Sequence, residues 1–457
     1  MIDAVLARPG PSTIAYFFAG DQYVEYDWAA PVPREGHGDY ARDGVHSIAE
    51  WGLPASFVGE GPGNAVEAAL AGRHAFAAYG YLFRGGSYMR YRWLPPGPEP
   101  GESQSIALWN VPASLDRVDA AFNGALNRSR YAYFTRGSRY YRYAWDTGAV
   151  EANYPRQIGT LVGMPAGFAG GFDAACDGMG PYTDKAYFFK DDQYIRFQWV
   201  ASGEPHVAGT PDPIQGHWLG LAELLATARA KTEALAWLAS ALPKLHGYAD
   251  FLKTGVAAPE QALVEASLRA HFHINPASPV AARTASLNAI LGMLDRVEAT
   301  LRASATMFRF RTDTEAVADN GVVLDPSGHV VLDPSGKPIP HAAYTGPMPP
   351  SPATRINVTR NFLVRSVRNR VSSLLHEAVH VIDPVSDMDA TPNPVHIPEW
   401  YVTAPEATKL GLTFVPDNAA FERRYDQMTT ANALHNPAAY ATLARHLHFR
   451  ADNRELP

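Results

Sequence analysis

Two hydrophobic textures divide the chain. Up to about residue 222, apolar and polar positions alternate in short aromatic runs separated by turn residues, as half-buried strands do. Beyond it, apolar residues recur at the three- and four-residue spacing of amphipathic helices, in Ala- and Leu-rich stretches. The first texture is a repeat. Ala15–Trp28 reads AYFFAGDQYVEYDW, and Tyr81–Trp93, Tyr131–Trp145 and Lys185–Trp199 restate its two aromatic strands around Gly-Gly, Arg-Gly-Ser and Asp-Asp turn signals. A short segment precedes each hairpin: Ile2–Leu6, Val66–Leu70, Val118–Phe122 and Phe172–Cys176. Another follows it: Trp51–Pro54, Trp109–Pro112, Val162–Pro165 and Trp218–Leu221. The hairpins close on Trp28, Trp93, Trp145 and Trp199, a spacing of about 50–65 residues that suits one four-stranded propeller blade.

Small Ala-Ala pairs fit the crowded innermost strand of such a blade, and Asp3, Glu67, Asp119 and Asp173 then recur at one structural position. Four carboxylates near a propeller axis could hold Ca²⁺ or another hard cation, or could accept backbone hydrogen bonds at the strand ends. The three-part pattern resembles the hemopexin-like repeat. That resemblance implies an all-β four-bladed propeller over residues 1–222, binding proteins, glycans or other ligands, with ions in its channel.

The second texture predicts a mainly α-helical domain over residues 223–457. A helical stretch opens at Leu219 and runs to about Phe310, with breaks expected near Pro243 and around Asn275–Pro279. A duplicated Val-Val-Leu-Asp-Pro-Ser-Gly, at Val322–Gly328 and Val330–Gly336, reads as a surface hairpin. A Pro-rich loop then leads to a helix expected from about Arg360 to Ile382.

That helix contains His376-Glu377-Ala378-Val379-His380. Residues i and i+4 share a helix face, so both imidazoles can bind one Zn²⁺, with Glu377 as general base toward a metal-activated water. Two satisfied histidines on a buried helix are the plainer alternative. A catalytic zinc needs a third protein ligand. Glu399, in His396-Ile397-Pro398-Glu399-Trp400, stands a loop-and-return distance beyond the helix; Glu422 is its rival, and Asp387, Asp389, His396, Glu406 and Asp417 are further choices. Asp383 reads more easily as a carboxylate orienting a histidine.

The segment Ile356–Phe362, the HExxH itself and Ala433–Ala441 resemble the lysine-specific metallo-endopeptidase and deuterolysin group, the aspzincins. The resemblance implies a zincin-like peptidase, and it gives the family's oxyanion-binding tyrosine a counterpart in Tyr425, a residue that core packing would equally explain. The family's Gly-Thr-x-x-Asp does not follow the helix, so its aspartate ligand has no direct counterpart. Asn436 and Tyr440 are expected to support the site, Asn436 as the cap of a helix starting at Pro437.

Composition narrows what remains. A net charge of −7 lacks the basic footprint of a nucleic-acid binder, and no apolar run is long enough to span a membrane. The lone Cys176 forbids an intrachain disulfide or a thiolate zinc cluster. No Sec-type leader follows Met1, which would fit a cytoplasmic protein or one exported without a signal. Haem carriage would need placed axial ligands, and His37, His46, His74, His206 and His217 do not recur at equivalent positions. The expected function is a zinc endopeptidase acting on a protein or peptide, with the propeller recruiting substrate or a cell-surface or glycan ligand; a host-directed toxin would suit that architecture. The alternative is a non-catalytic binding protein with a degenerate peptidase domain.

Overall fold

The computed structural model describes residues 2–58, 66–101, 103–303, 307–323, 329–333, 335–348, 351–383, 425 and 428–451. It divides into two compact units, Met1–Arg229 and Ala230–Pro457.

The first unit holds four antiparallel sheets of four or five strands. Their inner strands are Ala4–Ala7, Ala68–Ala71, Ala120–Asn123 and Ala174–Asp177, and each touches the next in a closed circuit, the fourth returning to the first. Alanines at two or three of the four positions let these strands converge. Outside each runs one aromatic hairpin: Ile14–Ala19 with Gln22–Asp27, Tyr79–Arg84 with Ser87–Trp93, Tyr131–Arg136 with Arg139–Ala144, and Lys185–Lys190 with Gln193–Gln198.

The carboxylate before each inner strand ties it to its hairpin. Asp3 accepts from Gly20 N at 2.6 Å, Glu67 from Gly85 N at 2.8 Å, Asp119 from Gly137 N at 2.6 Å and Asp173 from Asp191 N at 2.7 Å. After the inner strand, sheets two to four make one tight turn, in which a Cβ on Gly72, Gly124 or Gly178 would fall on the carbonyl of Phe76, Arg128 or Tyr182. Only glycine fits there.

Neighbouring sheets are joined by one aromatic contact made four times. Tyr16 packs on Trp93 (ring centroids 6.3 Å apart), Tyr81 on Trp145 (6.2 Å), Tyr133 on Trp199 (5.5 Å) and Tyr187 on Trp28 (5.1 Å). Each such pair adds about 0.5–1.5 kcal/mol beyond its buried area, and the last closes the ring. At the far ends of the inner strands, Asn123 donates to Asp177 from its backbone (2.6 Å) and side chain (3.0 Å), and accepts from Trp145 Nε1 at 3.0 Å. Cys176 is buried, and desolvation pushes its thiol well above the ordinary range.

The second unit is built on helices Gln261–Phe272, Val280–Ala303, Val367–Ile382 and Pro437–Phe449, with most of helix Leu221–Thr254. Pro243 does not break that last helix, contrary to the expectation from sequence; the helix runs to Thr254. Pro243 and Ala239, whose carbonyl the missing N–H would have engaged, are both exposed, so water can take the freed acceptor. A three-stranded sheet completes the unit: Ser351–Val358 runs between Phe308–Phe310, parallel to it, and Ala343–Met348, antiparallel.

Candidate metal centre

The expected helix from Arg360 is two elements. A 3₁₀ turn, Arg360–Val364, ends at extended Arg365, and the α-helix begins only at Val367. Ser366 stops one and starts the other, its side chain accepting from Asn369 N at 3.3 Å. Arg370 reaches back to the carbonyls of Phe362 (3.0 Å) and Leu363 (2.8 Å), fixing the angle between them. Val371, Leu374, Leu375, Ala378 and Val379 are buried, and the helix packs on Pro437–Phe449, Val280–Ala303 and two strands of the sheet. The HExxH therefore sits on the central helix of its unit, where neighbours on several sides hold its register.

His376 and His380 are half-buried, one turn apart, with their Nε2 atoms 3.2 Å from each other. Two nitrogens bound at about 2.0–2.1 Å to a tetrahedral ion stand about 3.3 Å apart, so the pair fits two zinc ligands. The same separation suits an N–H···N bond between two neutral imidazoles. Glu377, between them in sequence, is buried at 8% exposure. Among the described residues, no third His, Cys, Asp or Glu joins the pair at ligand distance. Glu399 and Glu422 lie outside the described residues, as do Asp387, Asp389, His396, Glu406 and Asp417.

Asp383 ends the helix, its N–H bonded to Val379 O at 2.8 Å, and its carboxylate approaches His435 Nδ1 at 3.8 Å. The histidine it faces is thus outside the HExxH. Asn436 caps the last helix, its side chain accepting from Ala438 N at 2.9 Å, with Pro437 in the first turn. Tyr440 donates to Leu434 O at 2.8 Å. Tyr425 is buried, and its hydroxyl bonds to His271 Nδ1 (3.0 Å) and Thr442 Oγ1 (2.9 Å), while His271 Nε2 meets His446 Nδ1 at 3.0 Å.

His341, which has no motif spacing to mark it, also belongs to this neighbourhood. Burial, then the charges of Arg365 and His376, push its pKa down to about 4, against a bond to the Val322 backbone that raises it. A neutral imidazole thus stands near His376, just before strand Ala343–Met348. Only tertiary structure brings it there.

No family model matches the chain. It is similar to matrix metalloproteinase-2 of Drosophila melanogaster, 35% identical over 100 residues, which are 21% of this chain and 12% of that protein. Among solved structures it is similar to the hemopexin fold protein CP4 from cow pea (24% identity, TM-score 0.37, 48% of this chain and 95% of that one). It is also similar to LS24, a seed albumin from Lathyrus sativus (20% identity, TM-score 0.39, 49% and 97%). The four repeated sheets of the first unit, whose inner strands close a circuit, are arranged like those of a hemopexin-type propeller.

Proposed function

We propose that the protein is a zinc-dependent endopeptidase whose hemopexin-like unit binds substrate or a surface. The observation that carries this reading is the convergence of His376 and His380 Nε2, at 3.2 Å, on a helix that also buries Glu377. Zn²⁺ held by the two imidazoles would supply a Lewis acid for a peptide carbonyl and a water of lowered pKa. Glu377 would take a proton at its carboxylate and return it to the leaving amine. Its burial limits competition from bulk water, and the packed helix keeps it in step with the histidines.

Glu399 is the proposed third ligand, with Glu422 as rival. Tyr425, as an oxyanion donor, would have to exchange its bond to His271 or Thr442 for one to substrate. A cation near Asp3, Glu67, Asp119 and Asp173 would use the oxygens left beyond the hairpin bonds; at Asp3 and Asp119 those oxygens also meet Arg229 (2.7 Å) and Arg117 (3.1 Å).

The second reading, a non-catalytic binding protein, draws on the same 3.2 Å contact taken as a hydrogen bond. Incubating the full chain with a peptide library and zinc, then reading cleavage by mass spectrometry, separates the two. Cleavage lost in Glu377→Gln supports the peptidase; no cleavage by the wild-type chain supports the binding protein.

A further inference from the structure

The fourfold pattern of the first unit fails at one interface, and a cavity lies there. In each sheet an isoleucine N–H bonds to the hairpin turn: Ile48 to Asp21 O (2.9 Å), Ile106 to Gly86 O (2.9 Å), Ile158 to Ser138 O (2.8 Å) and Ile214 to Asp192 O (2.8 Å). Three or four residues later a tryptophan enters the space before the next sheet, as Trp51, Trp109 and Trp218 do. Trp109, for example, lies among Tyr81, Tyr88, Tyr143 and Trp145 at 4.7–5.8 Å between centroids.

In the third sheet those positions are Leu161 and Val162, and Val162 is 50% exposed. The four rings that would surround the missing indole are Tyr133, Tyr140, Phe197 and Trp199. All four line a cavity of about 250 Å³.

A second departure falls at the same place. The residue four positions after the tight-turn glycine is aromatic in two sheets and covers the next tryptophan: Phe76 lies 5.6 Å from Trp145 and Tyr182 5.8 Å from Trp28. The equivalent in the third sheet is Arg128, which lines the cavity with Arg142 and Arg156. Arg142 is paired with Glu151 at 2.6 Å. Arg128 and Arg156 pair with no carboxylate among the described residues; Glu204 lines the same cavity and forms no ion pair with them. Trp199, 2% exposed, lines the same space, and its indole N–H has no partner, as those of Trp28 and Trp93 have none at the complete interfaces.

We infer that this cleft between the third and fourth sheets binds a small aryl carboxylate with a ring system the size of an indole. The three complete interfaces show that a bicyclic ring fits between such walls. Of the polar groups that line the cleft beside Glu204 and Thr160, the Arg128 and Arg156 guanidinium groups are the ones peculiar to this interface that carry charge without a carboxylate partner, and their planar donor pairs match the acceptor pair of a carboxylate.

The test is calorimetric titration of the full chain with 2-naphthoate, beside 2-naphthamide, in wild type and in Leu161→Trp, Arg128→Phe and Arg156→Gln. Leu161→Trp refills the space from within, and Arg128→Phe restores the ring seen at Phe76. The expected result is saturable binding of naphthoate to wild type, weakened about tenfold or more in each variant and for the amide. Far-ultraviolet dichroism and the melting temperature report folding; if Leu161→Trp misfolds, the two arginine variants decide. No saturable binding to wild type, equal binding of the amide, or affinity unchanged in the folded variants would each overturn the assignment.

Discussion

In the first unit the structural roles recur from sheet to sheet, most of them four times, whereas the second unit states its chemical motif once. A role repeated four times carries its own controls. The carboxylate before each inner strand bonds a hairpin N–H in all four sheets, so that use belongs to the architecture. Where one copy departs, as Leu161 does from Trp51, Trp109 and Trp218, the departure can be recognised against the other three. The histidine pair has no such control within the chain. Its meaning rests on geometry alone, and geometry at 3.2 Å serves both a metal and a hydrogen bond.

The largest expected effect lies in the second unit. Glu377→Gln should lower peptide hydrolysis by about 10²–10⁴-fold while bound zinc is retained, since general base catalysis contributes on that scale. Steady-state cleavage assays with zinc quantified in the same samples check both halves. In the first unit, Trp109→Ala should lower stability by about 3–5 kcal/mol, the usual range for deleting a buried tryptophan. Leu161→Ala, at the vacant position, should cost well under about 2 kcal/mol because its site is only half filled. Urea unfolding followed by fluorescence compares the two; equal losses would break the claim that one interface is incomplete.

A smaller effect is expected at Asn123. Its replacement by Ala leaves the Trp145 indole without its acceptor and removes the side-chain donor to Asp177 and Ala71 O, which should cost about 1–3 kcal/mol. The backbone donor survives the change, so the lower half of that range is the closer expectation. Thermal unfolding of the variant tests it.

Acid should separate the units by a gentler gradient. His341 titrates near 4 folded against 6.5 unfolded, so the unfolded state takes the proton first. Its contribution is complete above about 6.5 and is lost as pH falls toward 4. In the first unit, burial works against the charge of Asp27, but Thr13, Arg42 and the Ala29 N–H outweigh it and hold the carboxyl below 3.8. Its contribution is present above the unfolded value and is lost as pH falls through the lower folded one. Hydrogen exchange by mass spectrometry across pH 7 to 4 should therefore show the segments around His341 loosening before those around Asp27.

Much of the first unit could be read from the chain because its signals are local and repeated. Alternating aromatics, turn residues and the closing tryptophans each lie within a few residues of the strands they define. The contacts between sheets could not be read this way: Tyr133 meets Trp199 across 66 positions of sequence, and no periodicity announces the pair. The vacancy was half visible, since Val162 stands in the place of a tryptophan in the repeat, but only the surrounding rings show that a cavity results. In the second unit, the helix bearing the HExxH was evident from its apolar face. Its start was misplaced because Arg360–Val364 is helical by a different pattern, and the stop at Arg365 depends on Arg370 reaching back. Pro243 misled for the opposite reason, since its tolerance rests on exposure. His341 and the partners of Tyr425 come from distant segments, which spacing within a motif cannot reach.

The central claim, a zinc centre at His376 and His380, is tested most directly by metal content. The full chain, purified without chelator or metal-affinity resin, would be assayed by inductively coupled plasma mass spectrometry beside the His376→Ala/His380→Ala double variant. The account predicts about one zinc per chain in the wild type and none in the variant. A wild-type chain that holds no zinc after reconstitution at neutral pH, or a variant that keeps it, would contradict the account.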